Sequence, residues 1–263
     1  MDDRIRMTIE GGVADVRLTR PDKMNALDPA MFDALEEAGD RLRGMAGLRA
    51  VVLSGEGRAF CAGLDLANFA GMADGAGRTD LGPRTHGPAN RPQHVVLQWR
   101  ALPVPVIAAV HGVAFGGGFQ LALGADVRFV AVDAKLSVME IKWGLVPDMG
   151  GALLMRELVR PDVLAELTYT GRVFDGAEAA RLGLATRICD DPRAEALAFA
   201  REVAAKSPDA IRAAKRLLSH ADEGFARRVL QAESDEQGVL IGSPNQVEAV
   251  RAGLEKRAAS FRD

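Results

Sequence analysis

Cysteine is nearly absent from this 263-residue chain, which carries only Cys61 and Cys189. Two thiols so far apart make neither a metal-ligand pattern nor a disulfide scaffold, and their scarcity fits a reducing compartment. Also missing is any apolar run of membrane-spanning length, and Met1-Asp2-Asp3-Arg4 lacks the basic-then-apolar profile of an export signal. The expected address is the cytoplasm. No block of single-sign charge occurs, and a net charge of −3 gives no general attraction to nucleic acid or an anionic membrane. Arg212, Lys215, Arg216, Arg227 and Arg228 form one basic segment, but Glu202, Asp209, Asp222 and Glu223 surround it, as on a solvated helix face. Several enzyme signatures are missing too: there is no G-x-S-x-G, no H-E-x-x-H, no P-loop and no G-x-G-x-x-G.

What the chain does have is apolar bulk. At 48% hydrophobic residues it can bury a substantial core, as one large domain or as a core with a smaller appendage. Residues 5–9 and 13–18 alternate around Glu10-Gly11-Gly12, which predicts a hairpin. Asp28 followed by Pro29 predicts a capped helix with Leu35, Ala38 and Leu42 on one face, ending near residues 44–47. A strand is expected over 49–54, a short helix over 64–69 and an aperiodic surface loop over 71–92. Further on, helix 93–102 is followed by strands 106–110, 125–132 and 135–138. Helices are then expected over 152–159, 162–168 and 176–181, and a last strand over 187–189. Beyond residue 191 the pattern is all helical: 194–206, 208–218, 222–240 and 244–256. The expected division is a core at 1–190 and a helical region at 191–263.

The most informative stretch runs from residue 106 to residue 148. A buried strand is expected at Val106-Ile107-Ala108-Ala109-Val110, a turn through 111–115, then Gly116-Gly117-Gly118 opening an apolar helix. Glycines at a helix start let a ligand approach the main chain, and the first N–H groups of a helix lack intrahelical acceptors. Such a loop suits an anion, or a carbonyl oxygen that becomes negative during reaction. Glu140 and Asp148, on either side of Gly144 and Pro147, are acids placed to work beside it. That combination points to an enzyme.

Two further motifs agree in order with this stretch. Arg20-Pro21-Asp22-Lys23-Met24-Asn25-Ala26-Leu27, Ala59-Phe60-Cys61-Ala62-Gly63-Leu64-Asp65-Leu66 and Ile107-Ala108-Ala109-Val110-His111-Gly112 with the glycine triplet resemble the crotonase (enoyl-CoA hydratase/isomerase) superfamily. Ser207-Pro208, Ala213-Ala214-Lys215 and Phe261 look similar to its tail. The resemblance spans essentially the whole chain. It implies an α/β crotonase-like spiral of ββα units, a C-terminal helical trimerisation region and a homotrimer or dimer of trimers. It also implies an acyl-CoA thioester as substrate, with coenzyme A part of that substrate and no separate cofactor or metal.

Carried over by motif, the oxyanion donors are the backbone N–H groups of Ala62 and Gly117. The substrate contacts implied are Lys23, Ala26, Ala59, Cys61, Gly63, Leu64, Asp65, Leu66, Gly116 and Trp143, with Arg20 and Lys23 near the phosphates. Hydratases of the family carry two glutamates; here the first position is Gln120 and the second, twenty residues on, is Glu140. Glutamine orients but cannot shuttle a proton. Asp148 stands where the dienoyl-CoA isomerase branch has an aspartate and the usual hydratase a glycine. The expected catalytic set is therefore Glu140, Asp148 and Gln120, with double-bond isomerisation favoured over hydration. A lyase using Glu140 with a bound water, and a catalytically silent acyl-CoA-binding paralogue, are the alternatives. Four histidines, His86, His94, His111 and His220, are scattered along the chain.

Overall fold

The structure is a computed structural model that describes residues 3–66, 81–218 and 223–261. Residues 67–69 of the helix expected over 64–69, and residues 71–80 of the loop expected over 71–92, lie outside the described residues. Strands β1 (Ile5–Glu10) and β2 (Val13–Leu18) form the hairpin, pairing Ile5 with Leu18 and Glu10 with Val13. After it, β3 (Ala50–Gly55), β4 (Val106–Val110), β6 (Val127–Val130) and β9 (Arg187–Ile188) join in parallel, in the order β1-β2-β3-β4-β6-β9.

A second layer follows the first. It consists of β5 (Val113–Phe115) parallel to β7 (Lys135–Ser137), with β8 (Phe174–Asp175) antiparallel to β7. Single bridges, Cys61 to Ala114 and Leu27 to Leu64, extend this layer toward the N-terminus. Each winding of the chain thus adds a rung to both layers, which is the spiral of ββα units that the resemblance implies. The residues expected to form a turn over 111–115 include a strand, because Val113–Phe115 finds its partner twenty-two residues away in the chain.

Strand alternation divides the core in two. Val51 and Leu53 of β3, with Val106, Ala108 and Val110 of β4, face the large core between the layers. The intervening Ala50, Val52, Ile107 and Ala109 face the opposite side, where Ala196 and Ala200 of α7 (Pro192–Ala204) cover them. The first helix of the expected C-terminal region thus covers the second face of the main sheet.

Other helices begin where local chemistry dictates. In α1 (Pro29–Arg43) the Asp28 carboxylate accepts from Met31 N at 2.8 Å, and Met31, Ala34, Leu35, Ala38 and Leu42 are buried. Helix α2 (Arg91–Ala101) starts two residues before its expected position because Asn90 and Gln93 close a reciprocal capping box. The remaining elements are α3 (Gly117–Leu123), α4 (Gly151–Met155), α5 (Pro161–Thr170), α6 (Gly176–Leu182), α8 (Pro208–Leu218), α9 (Glu223–Leu240) and α10 (Pro244–Glu255).

Candidate active site

The glycine triplet is explained residue by residue. Gly116 has φ +49° and ψ −122°, a conformation open essentially to glycine alone, and a Cβ there would lie 3.2 Å from Glu140 Oε1. Gly118 has no room for a Cβ, which would fall 2.2 Å from the Cys61 carbonyl oxygen. Gly117, between them, is the first residue of α3, and among the described residues its N–H has no backbone acceptor. A Cβ on Gly63 would meet the Phe115 carbonyl at 2.5 Å and the Gly117 nitrogen at 3.5 Å. The two small-residue loops of the sequence motifs therefore touch.

They meet at a cleft of about 950 Å³. Ala62, Gly63, Leu64, Asp65, Leu66, Gly116, Gly117, Lys23, Ala26, Trp143, Glu140 and Asp148 all line it, as the motifs imply. Three expected contacts do not. Cys61 and Ala59 are wholly buried behind the wall: the Cys61 thiol donates to the Asn25 carbonyl at 3.1 Å, and the Ala59 carbonyl accepts from Asn25 Nδ2 at 2.8 Å. Burial pushes the Cys61 thiol up to about 12, so it is inert as a nucleophile. Gln120 is the third. Its Nε2 donates to Glu140 Oε1 at 2.7 Å, and its Oε1 accepts from Met149 N and Gly151 N, both at 2.9 Å. This side chain ties the Glu140 carboxyl to the 149–151 segment.

Two expected groups are already engaged. The Ala62 N–H donates to the Met24 carbonyl at 2.9 Å, so Gly117 is the donor that stands open. That carbonyl belongs to a left-handed pair, Met24 at φ +50° and Asn25 at φ +56°. Arg20, expected near the phosphates, pairs instead with Asp65 at 2.5 Å and donates to the Ala26 carbonyl. Lys23 is exposed on the cleft and remains available to an anion.

Glu140 opens a 3₁₀ turn, Glu140–Trp143, that Gly144 ends in the left-handed region. Its carboxyl is buried, and among the described residues Oε2 has no hydrogen-bond partner. Burial pushes it up to about 7; the Gln120 bond opposes this and the nearby Asp148 adds to it. Asp148 is raised to about 6 by burial, with the Gln237 side chain opposing the rise. Two carboxyls raised to about 7 and about 6 in one cleft can hold one proton between them just below neutral pH.

The sequence reading missed Gln237 and Glu233. Gln237 lines the cleft from α9, and its Oε1 accepts from Val146 N at 3.1 Å. Glu233, one helical turn earlier, is buried and accepts from Gly150 N, Ala152 N and Gln93 Nε2. The signal was there in the spacing. Leu230, Glu233, Ser234, Gln237 and Ile241 recur at helical intervals, and polar residues on an otherwise buried stripe need built partners. Away from the cleft, Glu36, His86 and His94 bring ligand atoms within 4.8 Å of one another. The two rings stack at 3.9 Å with an 11° tilt, so no ion can lie in both ring planes, and Arg91 already pairs with Glu36.

Comparison with known proteins agrees with this arrangement. The sequence profile described as enoyl-CoA hydratase/isomerase matches residues 8–263. A probable enoyl-CoA hydratase of Bacillus subtilis (strain 168) is 30% identical over 98% of both chains. A carnitinyl-CoA dehydratase of Salmonella typhi is 35% identical, again over 98% of both. The solved structure of an enoyl-CoA hydratase/isomerase from Mycobacterium paratuberculosis superimposes with a TM-score of 0.85 at 27% identity, covering 95% of this chain and 98% of that one. Glycine loops that meet at a cleft, a buried carboxyl beside them and a match along nearly the whole chain all agree: this protein belongs to the enoyl-CoA hydratase/isomerase family.

Proposed function

We propose that this enzyme moves a double bond along the acyl chain of a coenzyme A thioester, in preference to adding water across it. The observation that carries this is Gln120. Water addition by a pair of acids needs both carboxyls open to one water, and here the position opposite Glu140 is an amide with every polar atom engaged. Gln120 is also 1% exposed, so a water has no access to it from the cleft.

The reaction then runs on three groups. The thioester carbonyl oxygen takes the Gly117 N–H, and Ala62 joins once the Met24 carbonyl yields, so that negative charge building on the oxygen is stabilised. Glu140, with Oε2 unpartnered, exchanges a proton with one carbon of the chain. Asp148, on the same cleft, is the second proton-transfer group for a longer shift. Hydration is the second reading, because relatives are named hydratase and dehydratase and Glu140 with Asp148 is itself a pair of acids. A silent binding protein fits poorly with an unpartnered, desolvated carboxyl held at about 7.

Incubation with 2-enoyl-, 3-enoyl- and 3,5-dienoyl-CoA, with products followed by their spectra, tests the proposal. Interconversion of enoyl isomers faster than formation of 3-hydroxyacyl-CoA is the expected result. Dominant hydration would overturn it in favour of the second reading.

A further inference from the structure

Residues 149–152 offer four backbone N–H groups in succession, and the fold divides them between two side chains. Met149 N and Gly151 N, both at 2.9 Å, donate to Gln120 Oε1 on α3. Gly150 N at 2.9 Å and Ala152 N at 3.0 Å donate to the two carboxyl oxygens of Glu233 on α9. The fit on the Gln120 side is close, since a Cβ on Gly151 would fall 2.5 Å from Gln120 Oε1. With its oxygen taken by two donors, the Gln120 amide has one orientation left, and its nitrogen reaches Glu140 Oε1 at 2.7 Å. Were the segment to shift, that amide could rotate and Glu140 would lose its donor.

Glu233 is itself fixed. It is buried, and Gln93 Nε2 of α2 donates to its Oε2 at 3.1 Å and to the Leu230 carbonyl at 2.8 Å. Three donors thus converge on one side chain, and a carboxyl is the group of this size with an acceptor on both terminal atoms. A glutamine there would turn an NH₂ toward one of the donors. We propose that Glu233 is a positioning residue for Glu140: through the backbone of 149–152 and the Gln120 amide, α9 fixes the carboxyl that faces Gly116 in the cleft. This rests on the reading of Glu140 as a proton-transfer group. Glu233 lies behind the cleft wall, so its loss acts on the rate and leaves the substrate's own contacts in place.

Two variants test this. Glu233→Gln keeps the size and one acceptor oxygen, and Glu233→Leu removes both. Each is compared with the parent in kcat and KM on the enoyl-CoA turned over best, the active fraction being taken from the stoichiometry of saturated acyl-CoA binding by calorimetry. In Glu233→Gln kcat falls about tenfold, in Glu233→Leu toward about 10²-fold, and KM stays within about twofold in both. In a Gln120→Leu background, Glu233→Gln changes kcat by less than about twofold. The Gln120 side-chain NH₂ is followed separately by ¹⁵N NMR, its signal assigned by its loss in Gln120→Glu. Its exchange with solvent quickens at least about tenfold in Glu233→Gln. Where Glu233→Leu does not fold, the Glu233→Gln results decide. Unchanged Gln120 exchange in folded Glu233→Gln overturns the proposal, as does an equal loss of kcat in both backgrounds. If Glu140→Gln leaves the rate intact, the reading of Glu140 fails, and the Gln120 exchange by itself still decides whether Glu233 governs that contact.

Discussion

At the residue scale, the proposed chemistry rests on two carboxyls in one cleft and an amide between one of them and the chain. Glu140→Gln keeps shape and removes the proton acceptor. Turnover of every enoyl-CoA should fall about 10²–10⁴-fold while acyl-CoA affinity, measured by calorimetry, persists. Asp148→Asn then separates a short shift from a long one: a cost below about tenfold for the first, a loss matching Glu140→Gln for the second. The pH profile gives an independent reading. If Glu140 alone acts as base, kcat rises through about 7 and levels off, because only the ionised form accepts a proton. If the two acids share one proton, kcat is bell-shaped with limbs near 6 and 7. Gln120→Glu retains an acceptor for Met149 N and Gly151 N but sets a second carboxyl against Glu140 where no water reaches it, so the kcat limb that Glu140 sets should move to higher pH. Glu140, Asp148 and Gly117 were legible in the chain because motif spacing marks them. That Gln120 turns away from the cleft, and that Ala62 is occupied by Met24, depends on contacts between segments far apart in sequence, which spacing does not encode.

At the scale of elements, legibility followed how local each signal is. Helix α8 begins where expected, at Pro208, and the Asp28-Pro29 start of α1 is as read, because caps and proline act within one turn. Strand β5 was taken for a turn and β8 went unexpected, since three- and two-residue strands exist only through pairing with β7. The triplet loop gives a graded prediction. Gly118→Ala places a Cβ 2.2 Å from a backbone carbonyl that cannot yield, and should destabilise by at least about 2 kcal/mol in denaturant unfolding. Gly117→Ala meets the Met149 sulfur at 2.8 Å, the movable end of a side chain, and should cost about 1 kcal/mol or less. A reversal of that order would refute the account of why three glycines stand there.

At the scale of the whole molecule, Leu217, Leu218, Val239, Leu254 and Phe261 leave apolar surface exposed on the C-terminal helices and tail. We propose that copies of this chain cover it as a trimer or a dimer of trimers; light scattering that returns only monomer at micromolar concentration would contradict this. Stability against pH tests the buried acids together. Burial raises Glu140 to about 7, Asp148 to about 6 and Glu233 to about 8. In each case the folded state holds its proton to a higher pH than the unfolded chain does. Their contribution is therefore complete below the ordinary carboxylate range and is lost as pH rises through about 6 to 8. The melting temperature should fall between pH 5.5 and pH 8.5 at constant ionic strength. Glu233 has the highest of the three values and accepts three hydrogen bonds, so Glu233→Gln is the informative variant. It forfeits one acceptor and should melt below the parent at pH 5.5. Since the amide has no proton to lose, its further fall to pH 8.5 should be smaller than the parent's. Parallel curves for the two proteins would mean that Glu233 is already ionised at pH 5.5. Its N–H partners would then outweigh its burial, and α9 would be held to the Asp148 segment by a charge rather than by a proton.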